Sequence, residues 1–296
     1  MKKIENICEF GDCRTIMRKW KKQRVLVQST ICSPPYFNLR KYTDDGENEI
    51  GRESDPQAYV DALVEVFECV RAITRDDGVL WLNISDTYFH SGLVGSKKVS
   101  KTKKHTANVK VKDLIGIPWM VAFALRDAGW FLRSEVIWSK PNPMPESVTD
   151  RPTRSHEQIF LFSKSKDYYY NNQAVKENTT TQHDYIIDTS KGKMNTTPGR
   201  TKMGGLKHNN YPERNKRSVW TVQTEAYRGS HFAVFPEALI TPCVLTSTKK
   251  GDIILDPFLG SGTTAKVAKH YGRKYLGCEL NEDACRHLQE ERIRGR

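Results

Sequence analysis

The sequence predicts an α/β fold built on a mostly parallel sheet with helices on both faces. Three observations point there. Val60, Leu63, Val64, Phe67 and Val70 recur at helical spacing, and soon afterwards Val79-Leu80-Trp81-Leu82-Asn83-Ile84 forms a nearly continuous apolar run. Such a run is the pattern of a strand buried on both faces. Towards the end, Ile253-Ile254-Leu255 leads into Asp256, a glycine-containing turn, a helical pattern and a second strand ending at Glu279. Helix and buried strand in alternation is the rhythm of a parallel α/β sheet.

Taken in order, residues 25–31 read as a strand that runs into Cys32-Ser33-Pro34-Pro35-Tyr36. The two prolines stop the strand and stiffen the turn. Residues 37–54 are polar and without period, a loop following that turn. Asp55-Pro56 opens the first clear helix, and Asp76-Asp77-Gly78 reads as a turn before the strand at 79–84. Residues 91–112 interrupt the rhythm with seven lysines, either as a solvated loop or as an arm that contacts phosphate. A helix at 117–128 ends at Gly129, and strands follow at 133–139 and 158–163, separated by the proline-rich turn Lys140-Pro141-Asn142-Pro143-Met144-Pro145. Residues 164–220 lose the α/β pattern and read as an inserted unit. The rhythm returns with a helix at 235–245, a strand at 253–255, a helix from 262, a strand at 274–279 and a last helix that Asn281 caps. The expected organisation is a first part at 1–163, the insertion at 164–220 and a last part at 221–296.

The chain has 296 residues, enough for one large domain carrying an insertion, and a formal net charge of +12. That surplus suits a polyanionic partner. Seven cysteines show no zinc-ligand spacing, so reduced thiols, no metal and a cytoplasmic location are expected. No apolar run has the length of a membrane span or a signal segment.

The segment Asp256-Pro257-Phe258-Leu259-Gly260-Ser261-Gly262-Thr263-Thr264 joins a strand to a helix. Ligands of open α/β sheets sit beyond the carboxyl ends of strands, and glycines let backbone approach them closely. Glu279, at the end of the next strand, could take both hydroxyls of a ribose. The Gly-Lys-Ser/Thr of a phosphate loop is absent, and the glycines fall short of a full dinucleotide fingerprint. A nucleoside cofactor without a pyrophosphate is what remains.

Ser33-Pro34-Pro35-Tyr36 followed by Asp256 to Thr264 resembles the amino-methylating DNA methyltransferases, in the arrangement of their beta group, where the catalytic motif precedes the cofactor motif. Phe10-Gly11-Asp12, Ile137-Trp138-Ser139-Lys140 and His231-Phe232-Ala233-Val234-Phe235-Pro236 extend the likeness over nearly the whole chain. The resemblance implies a class I S-adenosylmethionine-dependent methyltransferase fold with circularly permuted motif order. It also implies that 164–220 is a target-recognition region. Ser33 and the Pro34 carbonyl would hold the target amino group, with Pro35 stiffening the turn and Tyr36 stacking on a flipped base. Asp12, His231, Phe235, Pro236, Asp256, Pro257, Phe258, Gly260, Ser261, Gly262, Thr263 and Glu279 would bind S-adenosylmethionine. Double-stranded DNA is the implied substrate, and a cognate restriction endonuclease the implied partner, in a microbial or phage setting. Either a monomer or a homodimer is compatible.

The chemistry suits these groups. An exocyclic amino nitrogen is a weak nucleophile, and acceptors on two sides can orient it. No metal or covalent intermediate is required. In the family resembled, Ser at the first motif position favours N4 of cytosine, whereas Asp or Asn is commoner in enzymes acting on N6 of adenine, which stays the alternative. Cys32 precedes Ser33 rather than following a proline, unlike the thiolate of ring-carbon cytosine methylators, and reads as a packed strand residue. An RNA or small-molecule methyltransferase, or an inactive DNA-binding relative, are the rivals from other classes.

Overall fold

The computed structural model describes residues 4–39, 49–53, 55–89, 109–179, 212–225 and 235–294. From the N-terminus these form β1 (Ile7–Phe10), α1 (Cys13–Lys22), β2 (Val27–Cys32), α2 (Pro56–Ile73), β3 (Thr74–Ile84), α3 (Ile117–Asp127), β4 (Phe131–Ser139) and β5 (His156–Ser163). A 3-10 turn at Asn172–Val175 and the short pair β6 (Glu177–Asn178) and β7 (Glu213–Arg214) follow. The chain closes with β8 (Val219–Thr221), α4 (Glu237–Ser247), β9 (Ile253–Asp256), α5 (Thr263–His270), β10 (Lys274–Glu279) and α6 (Glu282–Arg294).

Eight strands make one sheet in the order β1-β10-β9-β2-β3-β5-β4-β8. All neighbours are parallel except β5, which runs antiparallel to β3 and β4. Alternation along each strand divides its side chains between two cores. Leu80 and Leu82 of β3 join Phe160 and Phe162 of β5 against α1, α2 and α3, where Trp20, Leu63, Phe67 and Val121 are buried. Val79 and Trp81 face the other way, with Ile31, Trp138 and Trp220, against Leu239, Val244 and Ala265 of α4 and α5. Helices therefore cover both faces, as the α/β reading requires.

Local chemistry starts the helices where the sequence places them. The Asp55 carboxylate accepts from Ala58 N at 2.9 Å with Pro56 in the first turn of α2. Asn281 Oδ1 accepts from Ala284 N at 3.0 Å ahead of α6.

Three expectations change. The sequence reading omits β1 and α1, yet β1 is the sheet edge beside β10, and α1 buries Met17 and Trp20 completely. Asp76-Asp77-Gly78 is not a turn between elements, because β3 begins at Thr74 and passes through it. The register slips there, between Val27 and Ser29 on the facing strand. A Cβ at Gly78 would sit 2.6 Å from Thr74 Cγ2 and 2.8 Å from the Gln28 carbonyl, so the glycine marks close backbone approach within an irregular strand. Third, Val219 and Trp220, at the end of the 164–220 stretch, join the main sheet: β8 pairs with β4, and Trp220 packs on Trp81 at 6.1 Å between ring centres. Much of the 164–220 stretch, and most of the basic segment at 91–112, lie outside the described residues.

Candidate active site

The four strands β10, β9, β2 and β3 are adjacent and parallel, so their carboxyl ends share one edge of the sheet. That edge carries Glu279 at the end of β10, Asp256 at the end of β9, Ser33 immediately after β2 and Asn83 near the end of β3. A cavity of about 930 Å³ opens over it. Ser33, Pro34, Pro35 and Tyr36 line one part of this cavity; Gly11, Asp12, Asp256 to Ser261, Thr263 and Glu279 line another. The two motifs, far apart in the sequence, thus border one space.

At the Asp256 end the polar groups are buried or partly buried and tied to the backbone. Asp256 is 2% exposed. Its carboxylate accepts from Thr264 Oγ1 at 2.6 Å and from Phe258 N at 3.0 Å. Burial nevertheless dominates and pushes the carboxyl up to about 7, helped by the nearby Glu279 charge. Glu279 is also raised by burial, against the pull of backbone N–H groups. Its Oε2 accepts from Gly260 N at 2.8 Å and its Oε1 from Asn281 N at 2.9 Å, which ties the glycine-containing loop to the end of β10. Gln289 of α6 donates to the Gly260 carbonyl at 2.7 Å and holds the same loop from behind.

The Ser33 end is a buried polar network. The Tyr36 hydroxyl donates to Glu157 Oε2 at 2.6 Å and lies 3.2 Å from Ser33 Oγ. Asn83 Nδ2 donates to the same Glu157 oxygen at 2.9 Å and to the Tyr36 oxygen at 3.0 Å. Lys140 Nζ pairs with Glu157 Oε1 while lying 4.2 Å from the centre of the Trp138 ring. Burial, and then the Glu157 charge, push the Tyr36 phenol well above its ordinary value. The Tyr59 hydroxyl donates to the Pro35 carbonyl at 2.8 Å and pins the turn to α2.

Not every residue selected from the sequence faces the cavity. Asp12 does, but it is occupied: it caps α1 through Arg14 N and Thr15 N, and its Oδ2 lies 2.6 Å from the Arg14 guanidinium. Burial would raise the Asp12 carboxyl, but the Arg14 and backbone hydrogen bonds outweigh it and leave the group below its usual range. Phe235 and Pro257 line the cavity, whereas Pro236 and Gly262 do not border it. Pro236 stands at the N-cap of α4. Gly262 caps α5 with φ +89°, and a Cβ there would meet Ile293 of α6 at 3.1 Å. His231 lies outside the described residues. Cys32 is 1% exposed and burial drives its thiol well above the ordinary value, the opposite of what a thiolate nucleophile needs. Among the described residues no cluster of His, Cys, Asp and Glu could hold a metal ion, and no helix is long and apolar enough to cross a membrane.

Asn83, Lys140 and Glu157 were missed as site residues. Glu157 had a weak signal: an acid two residues before the apolar run Ile159-Phe160-Leu161-Phe162 of the same strand.

Residues 27–290 match the model of a family described as DNA methylase, the N6/N4 methyltransferases. The chain belongs to this DNA methylase family. It is 42% identical over 291 residues to the Type II methyltransferase M.SmaI of Serratia marcescens, covering 96% of this chain and 89% of that protein. M.Cfr9I of Citrobacter freundii is also 42% identical, over 92% of this chain and 83% of its own length. Among solved structures, PvuII DNA methyltransferase, described as cytosine-N4-specific, superposes with a TM-score of 0.62 at 16% identity, over 95% of this chain and 84% of that one. TTHA0409 of Thermus thermophilus, a putative DNA modification methylase solved with S-adenosyl-L-methionine, gives 0.57 at 20% identity, over 97% and 93%. The chain is a DNA amino-methyltransferase with S-adenosylmethionine as its methyl donor, and its strand order is the permuted arrangement of that fold.

Proposed function

We propose that this methyltransferase methylates N4 of a cytosine flipped out of duplex DNA. The observation that carries the reading is the single cavity bordered by Ser33-Pro34-Pro35-Tyr36 and by Asp256 to Ser261 with Glu279. A target base and a nucleoside cofactor have to meet in one space, and this cavity has a wall suited to each.

The cofactor wall fits an adenosine sulfonium. Glu279 accepts from Gly260 N and Asn281 N and lines the cavity at the carboxyl end of β10, where a carboxylate can meet ribose hydroxyls. Phe258 offers an aromatic face beside them. When bound, S-adenosylmethionine supplies a methyl group already activated by positive sulfur. The chain's residues then need to orient an amino nitrogen and exclude water.

On the other wall, Ser33 Oγ and the Pro34 carbonyl are the acceptors for the two amino hydrogens. The Pro35 carbonyl is taken by Tyr59, and among the described residues no hydrogen bond is directed at the Pro34 carbonyl. The Tyr36 ring stacks on the base, which has to leave the duplex to arrive there. Serine at the first motif position supports cytosine, and the fold is shared with an enzyme described as cytosine-N4-specific. Residues 164–220 supply target recognition on this reading; Arg151, held over the Tyr88 ring at 3.8 Å and lining the cavity, is paired with Glu146 at 2.6 Å. Such an enzyme works in the cytoplasm and protects DNA against a cognate restriction endonuclease.

Incubation with duplex DNA and labelled S-adenosylmethionine, followed by mass spectrometry of the nucleosides, should yield N4-methylcytosine. N6-methyladenine would overturn the choice of base, and label confined to RNA would overturn the substrate.

A further inference from the structure

A serine hydroxyl can donate or accept a hydrogen bond, and only an accepting Ser33 can hold an amino hydrogen. The direction of its hydrogen is set by residues on other strands. Glu157 projects from β5 with Lys140 paired to its Oε1, and a carboxylate only accepts. The Tyr36 hydroxyl, 2.6 Å from Glu157 Oε2, therefore donates its single proton to Glu157. Asn83 Nδ2 has two hydrogens, and its two shorter contacts, to Glu157 Oε2 at 2.9 Å and to the Tyr36 oxygen at 3.0 Å, use them. Its contact to Ser33 Oγ is longer, at 3.4 Å. The Tyr36 oxygen, with its proton committed, faces Ser33 Oγ at 3.2 Å with a lone pair. Ser33 has to donate to it, which turns the serine lone pairs away from Tyr36. Glu157 is 8% exposed and Asn83 4%, so bulk water does not compete for these bonds, and the raised Tyr36 phenol keeps its proton.

We propose that Glu157, held in place by Lys140, is a positioning residue that sets the direction of the hydrogen-bond chain through Tyr36 to Ser33 and makes Ser33 an acceptor for the target amino group. The inference rests on the role given to Ser33 above and extends it to residues outside the Ser-Pro-Pro-Tyr motif.

The test is Glu157→Gln. The glutamine oxygen faces the Lys140 ammonium, so its NH2 faces Tyr36. The amide now donates, Tyr36 donates onward to Ser33, and the serine hydrogen points at the amino group instead of its lone pairs. With saturating DNA and S-adenosylmethionine, the single-turnover rate of methylation should fall about 10- to 100-fold, the loss expected from one charge-assisted hydrogen bond. The dissociation constant for S-adenosylmethionine should stay within about twofold, since Glu279 and its loop are untouched. Tyr36→Phe keeps the ring and removes the link, and should lower the rate as well. In the Tyr36→Phe background Glu157→Gln should cause no further loss, because the path to Ser33 is already cut. A wild-type rate in either single variant overturns the proposal. So do losses that multiply in the double variant, which would mean that Glu157 acts independently of Tyr36. If Glu157→Gln does not fold, Tyr36→Phe still decides by its rate. Absence of DNA methylation by the unaltered protein would instead sink the functional reading itself.

Discussion

Replacing Asp256 by asparagine should cost about 1 kcal/mol of stability near pH 4 and turn stabilising as pH rises towards 8. The wild-type carboxyl is buried beneath the cofactor loop and pushed up to about 7, whereas an aspartate in the unfolded chain titrates near 3.9. Through this window the folded state holds a proton that the unfolded state has released. Unfolding stability therefore falls as pH rises, because the native state binds more protons. In the wild type the contribution of the protonated Asp256 carboxyl is full below about pH 4 and is lost once pH passes about 7. The distance between the two values corresponds to roughly 4 kcal/mol. Asparagine has the same shape and no charge. Its Oδ1 can keep the bond from Phe258 N, and its NH2 would face Thr264 Oγ1, whose hydrogen can turn to the Ile31 carbonyl at 3.4 Å. That rearrangement costs about 1 kcal/mol and leaves a net gain of roughly 3 kcal/mol at pH 8. Urea unfolding of both proteins at pH 4, 5, 6, 7 and 8 without cofactor measures it. The difference between them cancels carboxylates that do not interact with Asp256. A difference that stays constant over the range would refute the reasoning, since it would mean that Asp256 does not take up a proton on folding.

Other substitutions separate the two walls of the cavity. A Cβ at Gly277 would lie 2.3 Å from Leu259 Cδ2 and 3.1 Å from Leu259 Cβ, so Gly277→Ala should push the cofactor loop outwards. The expected cost is about 1–3 kcal/mol of stability, seen as a lower Tm, together with weaker S-adenosylmethionine binding by calorimetry. Glu279→Ala removes the acceptor that holds Gly260, and should weaken S-adenosylmethionine binding by about 1.5–3 kcal/mol, the range for hydrogen bonds to charged groups; unchanged affinity would exclude Glu279 from the site. Ser33→Ala should lower the methylation rate about 10- to 100-fold and leave cofactor affinity unaltered, and full activity would remove Ser33 from the chemistry.

The parts of the fold that were legible in the sequence are those whose local signals agree. The strand at 79–84 has an uninterrupted apolar run and the helix before it an Asp-Pro start, and both form. The N-terminal pair β1 and α1 was missed because local composition opposes it. The helix places Ile16, Met17 and Trp20 on one face among five Lys and Arg residues, and β1 has only four residues, none fully buried. Their order comes from packing: Trp20 is fully buried and its Nε1 donates to Glu9 at 2.8 Å. Gly78 misled in a different way. A glycine after two aspartates is a turn signal in isolation, but here it answers to the backbone of a neighbouring strand, a contact that sequence order does not reveal.

The site divides along the same line. Ser33-Pro34-Pro35-Tyr36 and Asp256 to Gly260 were legible because each is a continuous segment at the end of a strand, where backbone geometry and chemistry are encoded together. Glu157, Asn83 and Lys140 come from three different strands or their ends, and what makes them one unit is the sheet order β3-β5-β4. Antiparallel β5 runs back between β3 and β4, which sets its first residues beside their last: Ile84 faces Gln158, and Trp138 faces Glu157. An ordinary crossover to a parallel strand would put the opposite end of β5 there. The one reversed strand in an otherwise parallel sheet is thus what delivers a carboxylate to the wall behind Tyr36, and the acceptor character of Ser33 depends on it.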